Sequence, residues 1–431
     1  MVRDGGVQRH RIDELAELRP VDRHDAVDEL ATLLSGESAY VRMRAMDLLV
    51  ELSEEYPGAL TGVNDEVAGL LGDDALGDGA ARVLENLATE EPGAVADRLP
   101  LLVAVIDSGG AVTEHVTAAL AALGADSPER LAQPGILDQL VDLLDDDTEA
   151  VRRNVTGALG DIASAEPGAV VDADAGTGLR ERLGDDSPAV QRNAAYGLGQ
   201  LAEASPPVVF DAIDDLCGLL ESPDPGVRAA AAHALGASVT ATDAAGDDAI
   251  ATVMGHLDAE APTTRQQAAF VLAKVATRDP HAVRSHLGGI ARGMVDSDLD
   301  VRRNLGHALR ALETAVPDAV ETATTEVSEW LGTVDTNENT GVSRDGLRGL
   351  ANDENAPPEL RQAARSAVVL DGQHAVRPGT GPGATEGSGW EDSARVEDDQ
   401  KVDRGTQSCP ECGETFESDA TFCSVCGTSL D

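Results

Sequence analysis

The stretch VRRNVTGALGDI, Val151 to Ile162, decides how the chain is read. It returns as VQRNAAYGLGQL at Val190–Leu201 and as VRRNLGHALRAL at Val301–Leu312. Looser copies are VRAAAAHAL at Val227–Leu235 and TRQQAAFVL at Thr264–Leu272. Most copies place an apolar or small residue at the first position and at +4, +8 and +11, which is one stripe along an α-helix. The copies recur about every 37 residues, a period of helical repeat arrays. Upstream the register fits Val41/Ala45/Leu49/Leu52, Leu76/Ala80/Leu84/Leu87 and Val112/Val116/Leu120/Leu123. Downstream Val342/Gly346/Leu350 keeps it weakly, which gives eight units and a degenerate ninth.

The units share a grammar. A first helix begins near a proline (Pro57, Pro92, Pro167, Pro206, Pro280, Pro317), where the missing N–H has no intrahelical partner. A short acidic turn follows, such as Asp145–Thr148, Gly184–Pro188 or Asp296–Asp298, whose Asp and Ser side chains can cap the next helix. The repeated helix comes second. Such a unit cannot bury its own stripe, so stacking must do it. The expected fold is an all-α solenoid of about eight to nine helix pairs. It is preceded by an amphipathic helix over Arg11–Leu18 and opens with an outer helix over Asp22–Leu34.

An acidic turn followed by Val-Arg-x-x-Ala-x-x-x-Leu resembles HEAT repeats, in particular the short HEAT-like, armadillo-like type found in bilin lyases. The resemblance spans roughly residues 20–370. It implies that the arginine after the valine pairs with turn aspartates of its own or a neighbouring unit, a role that falls on Arg42, Arg152, Arg228, Arg265 and Arg302. Gly77, Thr113 and Gln191 depart from this pattern, and looser joints are expected there. The fold itself says little about function.

Composition narrows the setting. The 431 residues carry a net charge of −46, and of 32 basic residues only Lys274 and Lys401 are lysines. This balance resembles proteins of salt-loving archaea, in which a Debye length of about 3 Å at molar salt screens self-repulsion. It counts against nucleic-acid binding, which uses basic surface. Cys217 reads as a buried structural thiol. The N-terminal stretch is polar, and the longest apolar run, Leu99–Ile106, is too short to span a bilayer. No membrane association is expected, and the location is expected to be cytoplasmic.

The C-terminal stretch reads CPEC at Cys409–Cys412 and CSVC at Cys423–Cys426, each followed by glycine. Two CxxC pairs at this separation can converge on one tetrahedral Zn2+ as four thiolates, Cys409, Cys412, Cys423 and Cys426. Gly413 and Gly427 permit the turns that aim backbone N–H groups at sulfur. The stretch resembles the short zinc-ribbon family with CPxCG and FCxxCG. Structural zinc is therefore the expected cofactor, because a closed shell leaves no open position for catalysis. Its many acidic residues favour docking to protein. The expected domains are a repeat array over 1–370, a disordered linker over 371–408 and the ribbon over 409–431.

No HExxH, P-loop, GxGxxG or GxSxG is present, and no catalytic residue is assigned. Positions +2, +3, +6 and +10 of the second helices lie away from the stripe. They gather Arg153, Asn154, Arg192, Asn193, Tyr196, His233, Gln266, Gln267, Phe270, Lys274, Arg303, Asn304 and His307 on one expected concave face. That face is less acidic than the chain as a whole and suits an extended acidic protein segment. The leading expectation is a non-enzymatic scaffold or adaptor that binds other proteins along the array. The alternative is an enzyme or enzyme subunit of bilin-lyase or DNA-glycosylase type.

Overall fold

The structure is a computed structural model. It describes residues 4–202, 204–238, 245–333, 344–353, 356–374, 406–408 and 415–417. The chain divides into two compact units, Met1–Thr242 and Asp243–Asp431.

In the first unit the repeated helices are α1 (Ala39–Glu55), α2 (Gly77–Glu90), α3 (Gly110–Asp126), α4 (Glu149–Ala165), α5 (Pro188–Leu201) and α6 (Pro225–Ser238). Each packs on the next. In the second unit α7 (Pro262–Arg278) packs on α8 (Leu299–Ala315). Helices Pro317–Leu331, Arg344–Asn352 and Pro358–His374 follow. The degenerate ninth unit is helical, with Leu347 and Leu350 buried; Val342 lies outside the described residues.

The expected stripe is buried. Val151, Val155, Leu159 and Ile162 are all fully covered, as are Val190, Ala194, Leu198 and Leu201. Burial of each such side chain contributes about 1–3 kcal/mol, offset by the entropy of ordering it. In α3 Val116, Leu120 and Leu123 are buried as expected and only the first position shifts: Val112 is half-exposed, and Thr113 is buried in its place. Gly109 and Gly110, at φ +80° and +61°, tighten the turn before it. The Thr113 hydroxyl donates to the Ile106 carbonyl at 2.7 Å.

Several first helices are broken where single helices were expected. In the fifth unit Pro167–Asp172 and Ala175–Glu181 are separated by Asp174 at φ 54°, and a 3-10 turn, Arg182–Gly184, ends the element. Pro57, Pro92, Pro167, Pro206 and Pro317 open helical segments as expected. Pro280 does not. The Asp279 carboxylate accepts the His281 N–H at 3.0 Å and folds a turn there, so the regular helix begins only at Leu287. The N-terminal helix runs over Asp4–Glu17, earlier than expected, and the segment from Pro20 to Leu34 is split by a 3-10 turn at His24–Ala26.

Regular structure enters the expected linker at both ends. The last helix continues through Leu370 to His374, and a strand, β1, covers Thr406–Ser408. It pairs antiparallel with β2 (Thr415–Glu417), with Ser408 opposite Thr415. The four CxxC cysteines lie outside the described residues.

Candidate partner-binding face

Two sets of side chains fix the second helices against one another. The first begins with the arginine at +1. Arg152 donates to the carbonyls of its own turn, Asp146 at 2.9 Å and Asp147 at 3.1 Å. It also grips the carboxylate of the next turn, Asp185, at 2.7 and 3.1 Å. Arg265 repeats this with the Ala259 and Glu260 carbonyls at 2.9 and 3.0 Å and with the Asp296 carboxylate at 2.7 and 3.2 Å. Arg302 takes the Asp296 and Ser297 carbonyls and faces Asp353 at 3.6 Å. Its guanidinium fills the space that a side chain at Gly349 would occupy. Arg42 donates to the Leu34 carbonyl and pairs with Asp73. The own-turn partner is thus a carbonyl, and the carboxylate comes from the following turn.

The departures have physical explanations. Gln191 keeps the own-turn bond, donating to the Asp185 carbonyl at 2.8 Å, but carries no charge for the next turn, where Ser222 stands. Gly77 admits no side chain, because a Cβ there would stand 2.5 Å from the Leu71 carbonyl oxygen. Among the described residues Arg228 makes only the own-turn bonds, to the Ser222 and Pro223 carbonyls.

The second set lies at +3, +6, +7 and +9. Asn154 donates to the Glu114 carbonyl and the Thr117 hydroxyl of α3, both at 3.3 Å. Asn193 donates to the Arg153 carbonyl of α4 at 3.0 Å. Glycine and alanine bring the helices close: the Gly197 side faces Gly160, and the Gly199 side faces Ala234. The Tyr196 ring lies over Gly160, and His233 lies against Gly199.

These contacts locate each residue of the expected face. Arg153 and Arg192 are exposed, and Asn193, Tyr196 and His233 are half-buried. Asn154 is only 9% exposed, so it stands in the seam between α3 and α4. In the second unit Asn304 and Phe270 are each 8% exposed. Gln266 bonds Asp298 at 3.0 Å, Arg303 pairs with Asp300 at 2.8 Å, His307 meets Arg310 at 2.8 Å, and Lys274 lies over the Phe270 ring at 5.5 Å. Gln267 and His307 are half-buried.

Two residues of the α4 face were not singled out in the sequence, although their helical spacing marks them. Asp161, at +10, is pushed up to about 6 by burial. Burial also raises the Tyr196 phenol, and the Asp161 charge adds to that rise. Ser164 adjoins the same phenol. Among the described residues no group of His, Cys, Asp or Glu is arranged to hold a metal ion, and no helix is long and apolar enough to cross a membrane.

Residues 176–273 match the family model described as HEAT repeats. The fold is similar to that of an engineered protein solved by a structural genomics consortium, at 22% identity and TM-score 0.58, over 80% of this chain and 98% of that one. The fold of this chain is a HEAT-like helical repeat array. Two designed armadillo repeat proteins are also similar. One is 24% identical over 49% of this chain and 98% of its own, with TM-score 0.45. The other, computationally designed for modular peptide recognition, is 23% identical over 48% of this chain and 98% of its own, also with TM-score 0.45. No curated protein matches the chain. Within the HEAT-like repeats, the family match covers α5, α6 and most of α7 together with their turns.

Proposed function

We propose that this HEAT-like repeat protein is a non-enzymatic scaffold that binds partner proteins along the faces of its second helices. The observation that carries this reading is the tie between α4 and α5. The Asn193 amide on the Arg153 carbonyl and the Tyr196 ring over Gly160 hold consecutive helices in register. Arg153 and Arg192 then project from equivalent positions of one built surface. A surface made of repeated, register-locked helices suits an extended protein segment, because each repeat offers the same chemistry to the next stretch of ligand.

We further propose a structural Zn2+ held by Cys409, Cys412, Cys423 and Cys426. The donor chemistry fits zinc as four thiolates. Support also comes from the β1–β2 hairpin, whose connecting residues 409–414 include the first cysteine pair. The ion would supply folding energy to a segment too short to fold alone, and the ribbon would serve as a second docking element that adds avidity. The charge of −46 favours protein over nucleic-acid partners. With the scarcity of lysine it fits work at molar salt, and the paired thiols fit a reducing, cytoplasmic setting.

Affinity capture from cell extract at molar salt tests the reading. The full chain is compared with a variant in which the four ribbon cysteines are serine. The same proteins held by both place binding on the repeats. Proteins lost with the cysteines move it to the ribbon. Recovery of only a small molecule or nucleic acid overturns the scaffold reading.

A further inference from the structure

The arginines of the chain are largely committed to carboxylates or carbonyls. Arg42, Arg152, Arg265 and Arg302 serve the turns, and Arg180 and Arg182 pair with Asp215 and Asp145. Arg153 and Arg192 differ. Arg153 makes one long contact, 3.4 Å, to the amide oxygen of its neighbour Asn154. Arg192 makes no hydrogen bond or ion pair among the described residues. In a chain with 78 acidic against 32 basic residues, an exposed arginine without a carboxylate is unexpected, and here two stand at the same position of adjacent helices. The side chain between them, Asn193, carries no charge, and the flanking carboxylates, Glu149 one turn before Arg153 and Asp224 beside the Arg192 stem, accept from the Ser187 hydroxyl and the Val227 N–H instead. The carboxylate of Asp161 lies eight residues along α4 from Arg153, about 12 Å at the rise of an α-helix.

We propose that Arg153 and Arg192 together bind two carboxylates of an extended acidic polypeptide segment crossing α4 and α5 near their N-terminal ends. The proposal rests on the reading of this face as a partner-binding surface and names the chemistry of the partner. A guanidinium is matched to a carboxylate because its fork can donate two parallel bonds. Packed helices stand about 8–10 Å apart, and an extended segment in the polyproline II form, three residues per turn at about 3.1 Å each, places residues i and i+3 on one side about 9 Å apart. The two carboxylates therefore belong three residues apart. The Asn193 amide, on the Arg153 carbonyl, gives the intervening residues an uncharged path between the arginines, and Asp161, beside the Tyr196 ring, repels an acidic segment laid further along the helices.

The test is fluorescence anisotropy of the full chain with labelled dodecapeptides of Gly, Ser and Thr. In one peptide glutamate occupies every third position. In a second the same glutamates are contiguous, and in a third they are glutamine. The spaced peptide is expected to bind more than about tenfold tighter than either of the others. Arg153→Glu with Arg192→Glu abolishes its binding, and Arg153→Gln with Arg192→Gln weakens it by more than about tenfold. Circular dichroism checks that both variants remain helical; the glutamine pair serves if the reversal fails to fold. Equal binding of the glutamine peptide, unchanged affinity of a folded double variant, or no binding of the spaced peptide up to millimolar concentration overturns the proposal. So does equal displacement by an oligonucleotide of the same charge, which assigns the arginines to phosphate. Cross-linking of partner proteins to this face, described below, does not depend on these arginines. Loss of the acidic-segment proposal alone is thereby distinguished from loss of the scaffold reading.

Discussion

Arg152 holds Asp185 across a repeat boundary, Nε to Oδ2 at 2.7 Å and Nη2 to Oδ1 at 3.1 Å, while also donating to its own turn. The Asp185 carboxylate accepts the Ser187 N–H at 2.9 Å as well. One guanidinium thus ties a turn, a helix and the following turn. The Asp185 side chain is only 4% exposed, so little water replaces the arginine if it is removed. Arg152→Met is expected to cost about 1–3 kcal/mol in chemical denaturation, because it leaves a buried carboxylate with only the Ser187 N–H and the more distant Arg182, at 4.0 Å. The double variant Arg152→Met with Asp185→Asn should cost less than the two single changes added together.

The same pair gives an acid limit. Burial raises the Asp185 carboxyl, but the Arg152 guanidinium and the Ser187 N–H outweigh it and hold the group below its ordinary value. A depressed folded value means that the stabilisation is complete above the ordinary carboxylate range near about 3.9 and is lost as pH falls through the folded value. Thermal melts of the wild type should lose stability in that window, and those of the Asp185→Asn variant should lose less.

Asp161 has the opposite sign. Its folded value, about 6, lies above the ordinary one, so the native state holds a proton that the unfolded chain releases. Its charge opposes folding increasingly as pH rises from about 4 to 6. Asp161→Asn should raise stability at pH 8 by about 1 kcal/mol, a figure reduced for the partly exposed site. At pH 4 the gain should vanish. A gain that is equal at both values would mean that burial is not the cause.

The joint between α5 and α6 lacks the arginine and the carboxylate together, at Gln191 and Ser222. Restoring both, Gln191→Arg with Ser222→Asp, should give a favourable coupling of about 0.5–1 kcal/mol in a double-mutant cycle. Additive single effects would show that these positions do not meet.

Close helix approach at Gly160 makes a further prediction. A Cβ there would stand 2.8 Å from Cδ1 of Tyr196, so Gly160→Ala should destabilise by about 1–3 kcal/mol. Gly168 sits in a helix with nothing within 4 Å of its Cβ position, and Gly168→Ala should stabilise by about 0.4–1 kcal/mol. Urea titration of both variants checks the contrast.

The thiols separate chemically. Burial, with the Asp214 charge, pushes Cys217 up to about 12, so it should react slowly with a disulfide reagent in the native chain. On the proposed zinc site, Cys409, Cys412, Cys423 and Cys426 should be protected until a chelator is added and then react quickly, with release of about one zinc ion per chain. Rapid reaction of all four without chelator would argue against the zinc site.

Much of the array was legible in the sequence, for a physical reason. The stripe at the first position, +4, +8 and +11 is buried almost throughout, and apolar periodicity reports such burial directly. The seams between successive second helices were not legible. They are made by Gly160, Gly197, Ala158 and Asn154, residues whose small size or amide gives no hydrophobic signal. A helix in a stack has neighbours on several sides, so Asn154, Phe270 and Asn304 are buried although they lie off the stripe. The shift from Val112 to Thr113 escaped notice because a hydroxyl replaces a methyl there and is satisfied by the Ile106 carbonyl. The family resemblance implies the turn arginines, but only the structure separates their own-turn carbonyls from the next-turn carboxylates.

The most direct test of the scaffold reading is photo-cross-linking in cell extract at molar salt. A photoreactive phenylalanine is placed at Gln200, half-buried on the α5 face, and in a second chain at Asp172, exposed at the end of a first-helix segment. Expected are discrete protein adducts from position 200 and few or none from position 172. Adducts of equal yield from both, or adducts from position 172 alone, would contradict partner binding on the second-helix face.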